Sequence, residues 1–148
     1  MGRIVVGIDG SRESRQALEW AIEEARIRGD EVQVIHAWQY PLTTGSVEGV
    51  VAPALHVDFK AEARALADKI VTEVVGDGEA PVPVIVETPQ KLASIALIAA
   101  STGARMVVLG SRGRGGFAGF VLGSVGQECV KHAHCPVVII PHEQRKVS

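Results

Sequence analysis

Five short runs of aliphatic residues, rich in Val and Ile, recur along the chain and are separated by longer stretches with a different periodicity. An uninterrupted apolar run of about four to eight residues is typical of a strand in a parallel sheet, because both faces of such a strand are covered. The pattern therefore predicts five buried parallel strands, at 3–9, 31–38, 82–87, 105–110 and 135–140.

The stretches between the apolar runs carry apolar residues three and four positions apart, which is the spacing of one buried helix face. Ser11 is expected to cap the first helix, and Thr88 or Pro89 the third. One connection, roughly 39–56, follows neither period and is expected to be a mobile flap or disordered. The predicted buried faces are Leu18, Ala21, Ile22 and Ala25; Ala63, Leu66, Ala67, Ile70, Val71 and Val74; Leu92, Ile95, Ala96 and Ala99; and Leu122, Val125 and Cys129.

Strands and helices alternate along the whole chain, which is typical of an open sheet with a helix in each crossover. The chain has 148 residues, and this is the length of one domain, since domains usually contain about 100–200 residues. We therefore predict a single α/β domain over 1–148, built as a doubly wound five-stranded parallel sheet with helices on both faces.

Charge and composition argue against several classes of function. The formal net charge is −2, whereas a general nucleic-acid binder usually carries a strongly basic surface. No apolar run approaches the ~20 residues that a membrane helix needs. Two cysteines are too few for a secreted disulfide scaffold and suit a reducing compartment. We expect a cytoplasmic protein that binds neither nucleic acid nor a membrane.

The two cysteines lie in the segment CVKHAHC together with two histidines, which raises the question of a metal site. Cys129 and His132 are expected at the end of a helix, whereas His134 and Cys135 belong to the turn before the last strand. Four converging ligands need a tighter loop than this. Packing and charge at the helix end are therefore favoured over a metal.

The segment GSRGRGGFAGFVLGSVG, residues 110–126, contains seven glycines and follows the fourth predicted strand. Ligands of open parallel sheets bind beyond the carboxyl ends of the strands, and free amides at a helix N-terminus attract phosphate. Glycine permits positive φ and close approach, so that successive N–H groups can converge on an anion. Arg112 and Arg114 add positive charge, and the Ser124 hydroxyl can donate to a phosphate oxygen. A glycine-rich surface turn with a serine cap is the alternative.

Two well-known phosphate motifs fit this segment badly. A P-loop requires G-x-x-x-x-G-K-[ST], and the chain has no lysine between residues 92 and 130. The stretch GRGGFA satisfies a relaxed dinucleotide fingerprint, but it follows the fourth strand and lacks the acidic residue expected about 20 positions further on. Walker-type hydrolysis and dinucleotide binding are both disfavoured.

The spacing Gly110-x2-Gly113-x9-Gly123-Ser124 resembles the signature G-x2-G-x9-G-[ST] of the ATP-binding branch of the universal stress protein family. The segment VVGIDGSRESRQALEWAIEEA is similar to the first strand and helix of that family, and VIHAW to its second strand. The C-terminal third, VVLGSRGRGGFAGFVLGSVGQECVKHAHCPVVII, is similar with hardly a break. The three blocks occur in the order of the family, so the resemblance extends along nearly the whole chain.

The resemblance implies the strand order 3-2-1-4-5 and an adenine nucleotide, ATP, across the ends of the first and fourth strands. A divalent ion, Mg²⁺ or Mn²⁺, is expected only as one that the phosphates carry with them. It implies that Asp9 lies near the adenine or ribose, although an aspartate before Gly-Ser also caps helices, and that Ala37 offers main-chain groups to adenine. Glu87 stands where many relatives have a glycine, and there it would either repel phosphate or face solvent. The residues implied to hold ribose and phosphates are Gly110, Gly113, Gly123, Ser124 and Val125, and Arg112 is a further candidate because of its charge.

Binding is better supported than catalysis. Between Gly110 and Gly126 there is no Asp, Glu or His to hold a metal or to orient a nucleophile. We expect an ATP-binding sensor or regulator, at most a slow ATPase, whose surface an unidentified protein partner reads. A small adenine-nucleotide hydrolase or nucleotidyl transferase of related fold is the alternative, although such enzymes commonly place their glycine-rich loop after the first strand. A phosphoacceptor domain would need an aspartate and a lysine where Glu87 and Pro141 stand.

The last predicted strand contains PVVII at 136–140, which is apolar on both faces and is expected at an edge of the sheet. An exposed apolar edge strand tends to pair with another chain. In the family that the sequence resembles, this strand pairs with its copy across a two-fold axis. The resemblance therefore implies a homodimer through 136–140.

Overall fold

A computed structural model describes residues 1–40, 57–111 and 122–141. Most of the connection predicted at 39–56 lies outside the described residues, and so do Arg112, Gly113 and Arg114 of the glycine-rich segment. The described elements, in chain order, are β1 (Arg3–Gly7), α1 (Arg12–Arg28), β2 (Glu31–Ile35), α2 (Phe59–Val75), β3 (Val84–Glu87), α3 (Ala93–Ser101), β4 (Met106–Gly110), α4 (Ser124–His132) and β5 (Val137–Ile140).

The five strands form one parallel sheet in the order β3-β2-β1-β4-β5. This confirms the predicted α/β class and the strand order that the resemblance implies. Each strand is shorter than its predicted apolar run. At several ends of these runs, the residues beyond the strand make only a single main-chain hydrogen bond to the neighbouring strand. Beyond β1 and β2, for example, the Ile8 amide still donates to the Ile35 carbonyl at 3.0 Å.

Two separate hydrophobic cores lie on the two faces of the sheet. Neighbouring residues of a strand point to opposite faces, and Val5 and Val6 of β1 accordingly belong to different cores. Val6 packs in the core that contains Leu18 of α1. Val5 packs in the core that contains Leu97 of α3 and Cys129 of α4. We call the two sides the α1/α2 face and the α3/α4 face.

The predicted cap of the first helix is confirmed, and that of the third is wrong. The Ser11 hydroxyl accepts a hydrogen bond from the Ser14 amide at 3.2 Å. Helix α3 begins only at Ala93 and has no side-chain cap. Thr88 and Pro89 instead continue beside β2, because Trp38 donates from its main-chain amide to the Pro89 carbonyl and from its ring N–H to the Thr88 carbonyl.

The buried face of α3 also differs from the prediction. Ala96 and Leu97 are buried, but Leu92 and Ile95 are 51% and 52% exposed. Nearly every residue of the helix ASIALIAAS is apolar or small. Periodicity cannot identify the inward face of a helix that is apolar on all sides.

An ion pair with a buried carboxylate closes the amino end of the sheet. The carboxylate of Asp30, which follows α1 and is 1% exposed, accepts hydrogen bonds from the Gly2 amide and the Arg105 guanidinium. These contacts connect the starts of β1, β2 and β4. The hydrogen bond from Arg105 holds the pKa of Asp30 below its usual value, against the opposing effect of burial.

Candidate functional site

A cavity of about 330 Å³ opens at the carboxyl ends of β1, β2 and β4, beside α3 and the first turn of α4. Its size is in the range of small-molecule sites, which is about 300–1,000 Å³. Arg112 and Gly113, the other two candidates, lie outside the described residues. The cavity brings together six of the residues that the sequence singled out: Asp9, Ala37, Gly110, Gly123, Ser124 and Val125.

The floor of the cavity is apolar and lies on the α3/α4 face. It is lined by Gly7, Ile35, Leu97 and Leu109. A Cβ atom on Gly7 would lie 2.9 Å from the Leu109 Cδ2 atom and 3.0 Å from the Leu97 Cδ1 atom. A side chain at Gly7 would therefore force the ends of these two leucines to shift where they approach β1. The result is an apolar slot that suits a planar base.

The β1–α1 turn forms one polar wall of the cavity. The Asp9 Oδ1 atom accepts a hydrogen bond from the Ser11 amide at 2.9 Å. The Ser14 hydroxyl donates to the Ser11 carbonyl at 2.9 Å and accepts from the Asp9 amide at 3.3 Å. Gly10 has φ of 85° in this turn, a value that favours glycine. Asp9 thus organises the turn locally, and its contact with a ligand stays a prediction.

Ala37 lies just past the end of β2, where β1 no longer runs beside it. The amides of the two flanking residues, His36 and Trp38, donate to the carbonyls of Glu87, at the end of β3, and of Pro89, just beyond it. Main-chain groups of an extended chain alternate between its two sides, so those of Ala37 face the β1 side. They have no main-chain partner within the described ranges. Ala37 therefore presents a free donor and acceptor on the side of the cavity.

The end of β4 and the start of α4 are held together by main-chain hydrogen bonds. The Ser111 amide donates to the Ile140 carbonyl, and the Gly123 amide donates to the Ser111 carbonyl, both at 2.9 Å. A Cβ atom on Gly110 would lie 2.8 Å from the main-chain carbon of Glu13. Gly110 is therefore required by the close approach of α1 to β4.

The expectation that glycines here adopt positive φ is not met by the three glycines of the segment that the structure describes. Gly110, Gly123 and Gly126 are absent from the positive-φ residues. Gly123 is extended, with φ of −64° and ψ of 167°. Close packing accounts for Gly110, and at Gly126 an added Cβ atom would lie 2.7 Å from the Leu122 Cδ1 atom, so that Leu122 would have to shift.

The first turn of α4 lies beside the cavity, and its first amides have no partner among the residues that the structure describes. Gly123 is the N-cap and supplies no side chain, and the Gln127 amide makes the first bond of the turn, to the Gly123 carbonyl at 3.0 Å. The amides of Ser124, Val125 and Gly126 therefore have no partner inside the helix. All three residues line the cavity. Free amides and the positive end of the helix dipole make this an anion site.

Glu87 does not line the cavity. Its side chain is on the α3/α4 face, where it accepts a hydrogen bond from Gln33 at 2.9 Å. Gln33 in turn accepts from the Arg3 guanidinium at 2.8 Å. Glu87 is thus part of a polar network across β1, β2 and β3.

The two cysteines of the CVKHAHC segment pack on the α3/α4 face, whereas its two histidines are exposed. Cys129 is fully buried, and this burial raises the pKa of its thiol to about 11. His132 lies 3.7 Å from Glu128 on the same helix. Across the described part of the chain, no group of three or more metal-ligating side chains is found.

Sequence reasoning missed several residues of the cavity. The sequence places Gly7 and Leu109 in buried strands, indicates no role for Leu97, and leaves Ser111 in the variable part of the motif. Strand alternation signals two of them, because Gly7 and Leu109 occupy the face of their strands that carries Ile35. The sequence gives no comparable signal for Leu97, which α3 contributes to the cavity.

The described helices include none that is long and apolar enough to cross a membrane.

Comparison with known proteins gives consistent matches over almost the whole chain. The model of the universal stress protein family matches residues 1–141. A universal stress protein of Mycobacterium tuberculosis is 37% identical over 142 residues, which cover 92% of this chain and 44% of that protein. The chain spans about half the length of the curated relatives it matches.

Solved structures agree in fold. Universal stress protein UspA from Lactobacillus plantarum matches with a TM-score of 0.73 and 20% identity, over 94% of this chain and 97% of that one. The universal stress protein from Archaeoglobus fulgidus in complex with dAMP matches with a TM-score of 0.66 and 23% identity, over 95% and 98%. This chain belongs to the universal stress protein family.

Proposed function

We propose that the cavity binds an adenine nucleotide. The observation that carries the proposal is the continuity of an apolar slot over Gly7 with the unpaired amides of Ser124 and Val125. An apolar slot suits a base, and a helix N-terminus suits a phosphate. Family membership supports the proposal, and so does the relative from Archaeoglobus fulgidus, which is described in complex with dAMP.

In this proposal each polar group has a distinct task. The free main-chain donor and acceptor of Ala37 recognise the edge of adenine, and Asp9 lies within reach of the ribose. The phosphates lie against Gly110, Gly123 and the first turn of α4. Arg112 and Gly113 contribute from the adjoining segment. ATP is the proposed ligand, and a Mg²⁺ or Mn²⁺ ion, if present, accompanies its phosphates.

The proposed role is binding without efficient hydrolysis. Asp9 is the one carboxylate among the cavity-lining residues that the structure describes, and one of its oxygens already accepts the Ser11 amide. Rapid phosphoryl transfer needs a carboxylate or hydroxyl that holds a metal and a group that orients the nucleophile. We therefore propose a cytoplasmic, nucleotide-dependent sensor or regulator whose surface changes are read by a protein partner.

Isothermal titration calorimetry with ATP, AMP, cyclic AMP and GTP tests the binding proposal. Adenine nucleotides are expected to bind with dissociation constants well below millimolar, and GTP more weakly. If none of the four binds more tightly than millimolar, the assignment of the cavity is wrong. Incubation with ATP, followed by separation of AMP and pyrophosphate, distinguishes binding from the hydrolase or nucleotidyl transferase alternative, because the proposal expects intact ATP.

We also propose that the chain forms a homodimer through β5. This strand is at an edge of the sheet, and all four of its residues are half-buried. The carbonyls of Pro136 and Ile140 accept hydrogen bonds from the amides of Val107 and Ser111. The main-chain groups of Val137 and Ile139 therefore face outward along the open edge. Such an edge is suited to pairing with a second copy. Light scattering at micromolar concentration is expected to give the mass of a dimer, and a monomeric mass would contradict the proposal.

A further inference from the structure

The main-chain groups of Ala37 are free because the pairing of β1 with β2 stops just before this residue. The last bond between the two strands runs from the Ile8 amide to the Ile35 carbonyl at 3.0 Å. A continued parallel ladder would next join the Ala37 amide to the Ile8 carbonyl. The ring Nδ1 atom of His36 instead lies 3.0 Å from that carbonyl oxygen. The Ala37 amide has no main-chain partner within the described ranges.

On the other side of β2, the pairing continues beyond the ends of both strands. The Trp38 amide donates to the Pro89 carbonyl at 3.1 Å, and Trp38 forms an isolated parallel bridge with Gln90. The indole N–H of Trp38 adds a second hydrogen bond, to the Thr88 carbonyl at 2.9 Å. The residue directly after Ala37 is therefore fixed to the β3–α3 connection by its main chain and by its side chain.

The indole of Trp38 lies on the face of the sheet opposite the cavity floor. Alternation along the chain places Trp38 on the same face as Val34 of β2, which belongs to the core on the α1/α2 face. The Trp38 ring packs edge-to-face against Tyr40 at 5.3 Å between centroids, and Tyr40 packs in the same way against Phe59, the first residue of α2, at 5.8 Å. Trp38 is not among the residues that line the cavity. Its influence on a ligand must therefore pass through Ala37.

The free groups of Ala37 form a pair that can distinguish two similar bases. The amide supplies a donor and the carbonyl an acceptor. Adenine matches this pair, because a ring-nitrogen acceptor and an amino donor lie side by side on its edge. Hypoxanthine, the base of IMP, carries a ring N–H and a carbonyl oxygen at the same two positions, so donor and acceptor are exchanged. Good hydrogen bonds need donor–acceptor distances of about 2.7–3.2 Å, so the preference depends on where Ala37 is held.

We propose that Trp38 is a positioning residue for base recognition, whose indole N–H fixes Ala37 through the Thr88 carbonyl and thereby makes the cavity prefer adenine to hypoxanthine nucleotides. The inference rests on the proposed function and deepens it. Without the indole bond, the extension of β2 is held to the β3–α3 connection by its main chain alone. A small shift of Ala37 then weakens the hydrogen bonds to adenine. IMP, which cannot form that pair of bonds, is unaffected.

The test compares wild type with Trp38→Phe, which removes the ring N–H and keeps an aromatic ring. Calorimetric titrations of wild type are expected to show tighter binding of AMP than of IMP. In Trp38→Phe, AMP binding should weaken by about 3- to 10-fold, the effect of one hydrogen bond between neutral groups, and IMP binding should change by less than about 2-fold. Trp20→Phe is the matched control, because Trp20 is 36% exposed on α1 and does not line the cavity. It should bind both nucleotides like wild type.

A second variant, Trp38→His, separates the N–H from the bulk of the indole. The imidazole is smaller, but it keeps a ring N–H and is mostly neutral at pH 8. Its ratio of AMP to IMP affinity should stay closer to that of wild type than the ratio of Trp38→Phe does. Thermal unfolding without ligand identifies a temperature at which all variants are folded, and the titrations are made below it.

The results distinguish this inference from the proposed function. If wild type bound neither nucleotide, the proposed function would fall and the role of Trp38 with it. If wild type preferred AMP and Trp38→Phe kept the same preference, only the role of Trp38 would be refuted. Equal weakening of AMP and IMP would show that Trp38 supports the fold alone, and a ratio in Trp38→His as low as in Trp38→Phe would assign the effect to the volume of the indole. Each of these last two results overturns the inference.

Discussion

The first residue of α4 offers a substitution that removes one amide donor from the anion site. Proline has no N–H, and it is favoured at the first position of a helix, which is the position of Ser124. The residue before a proline must be extended, and Gly123 already has φ of −64° and ψ of 167°. Ser124→Pro should therefore keep the backbone path of the cap and the helix.

The expected loss of affinity follows from the hydrogen bond that disappears. A hydrogen bond to a charged group contributes about 1.5–3 kcal/mol, which corresponds to about a 10- to 150-fold change in dissociation constant. Ser124→Ala is the matched control, because it removes the hydroxyl and keeps the amide. The AMP affinity of Ser124→Pro should therefore be at least about 10-fold weaker than that of Ser124→Ala.

Calorimetry with AMP and adenosine measures both variants, and thermal unfolding verifies their folds. The unfolding midpoint of Ser124→Pro should stay close to that of wild type, because proline at a compatible position changes stability by only about 0.4–1 kcal/mol. Adenosine affinity should be equal in the two variants. The reasoning is refuted if Ser124→Pro binds AMP as tightly as Ser124→Ala, or if adenosine binding falls in parallel, which would indicate that the ring blocks the cavity.

Three further predictions concern the slot, the amino end of the sheet and the edge strand. Gly7→Ala should weaken binding of both AMP and adenosine in calorimetry, because its Cβ atom would lie 2.9 Å from Leu109; unchanged affinities would show that the base lies elsewhere. Asp30→Asn should lower the free energy of unfolding at pH 7 by about 1–2 kcal/mol. Since Arg105 lowers the folded-state pKa of Asp30, this contribution is present above the unfolded-state pKa of about 4 and is lost as the pH falls through the folded-state value. Urea denaturation at several pH values measures the stability difference between wild type and Asp30→Asn, and a difference that does not narrow in acid would contradict the prediction. Ile139→Pro removes an outward-facing amide of β5 and should give a monomeric mass by light scattering with the fold retained, whereas a persistent dimer would exclude this edge.

The sheet could be predicted from the sequence because each strand lies in a short segment rich in Val and Ile between helical stretches. Burial on both faces of a parallel strand produces that signal directly. The inward face of α3 could not be predicted, since a helix that is apolar on all sides has no periodicity to read. The prediction of the cap of α3 was wrong for a different reason. The ring N–H of Trp38 donates to the Thr88 carbonyl and holds it in an extended path, and this contact is tertiary.

The candidate site could be predicted in part. The carboxyl ends of parallel strands meet at one edge, and for that reason Asp9, Ala37 and Gly110 lie around one cavity. The reason for Gly110 was not predictable, because the close approach of Glu13 depends on how α1 packs.

The most direct test of the central claim is a crystal structure of the protein with AMP. The account predicts phosphate oxygens within about 2.7–3.2 Å of the amide nitrogens of Ser124 and Val125, with adenine in the slot over Gly7. A structure in which AMP binds elsewhere, or in which protein atoms already accept hydrogen bonds from those amides, would contradict it.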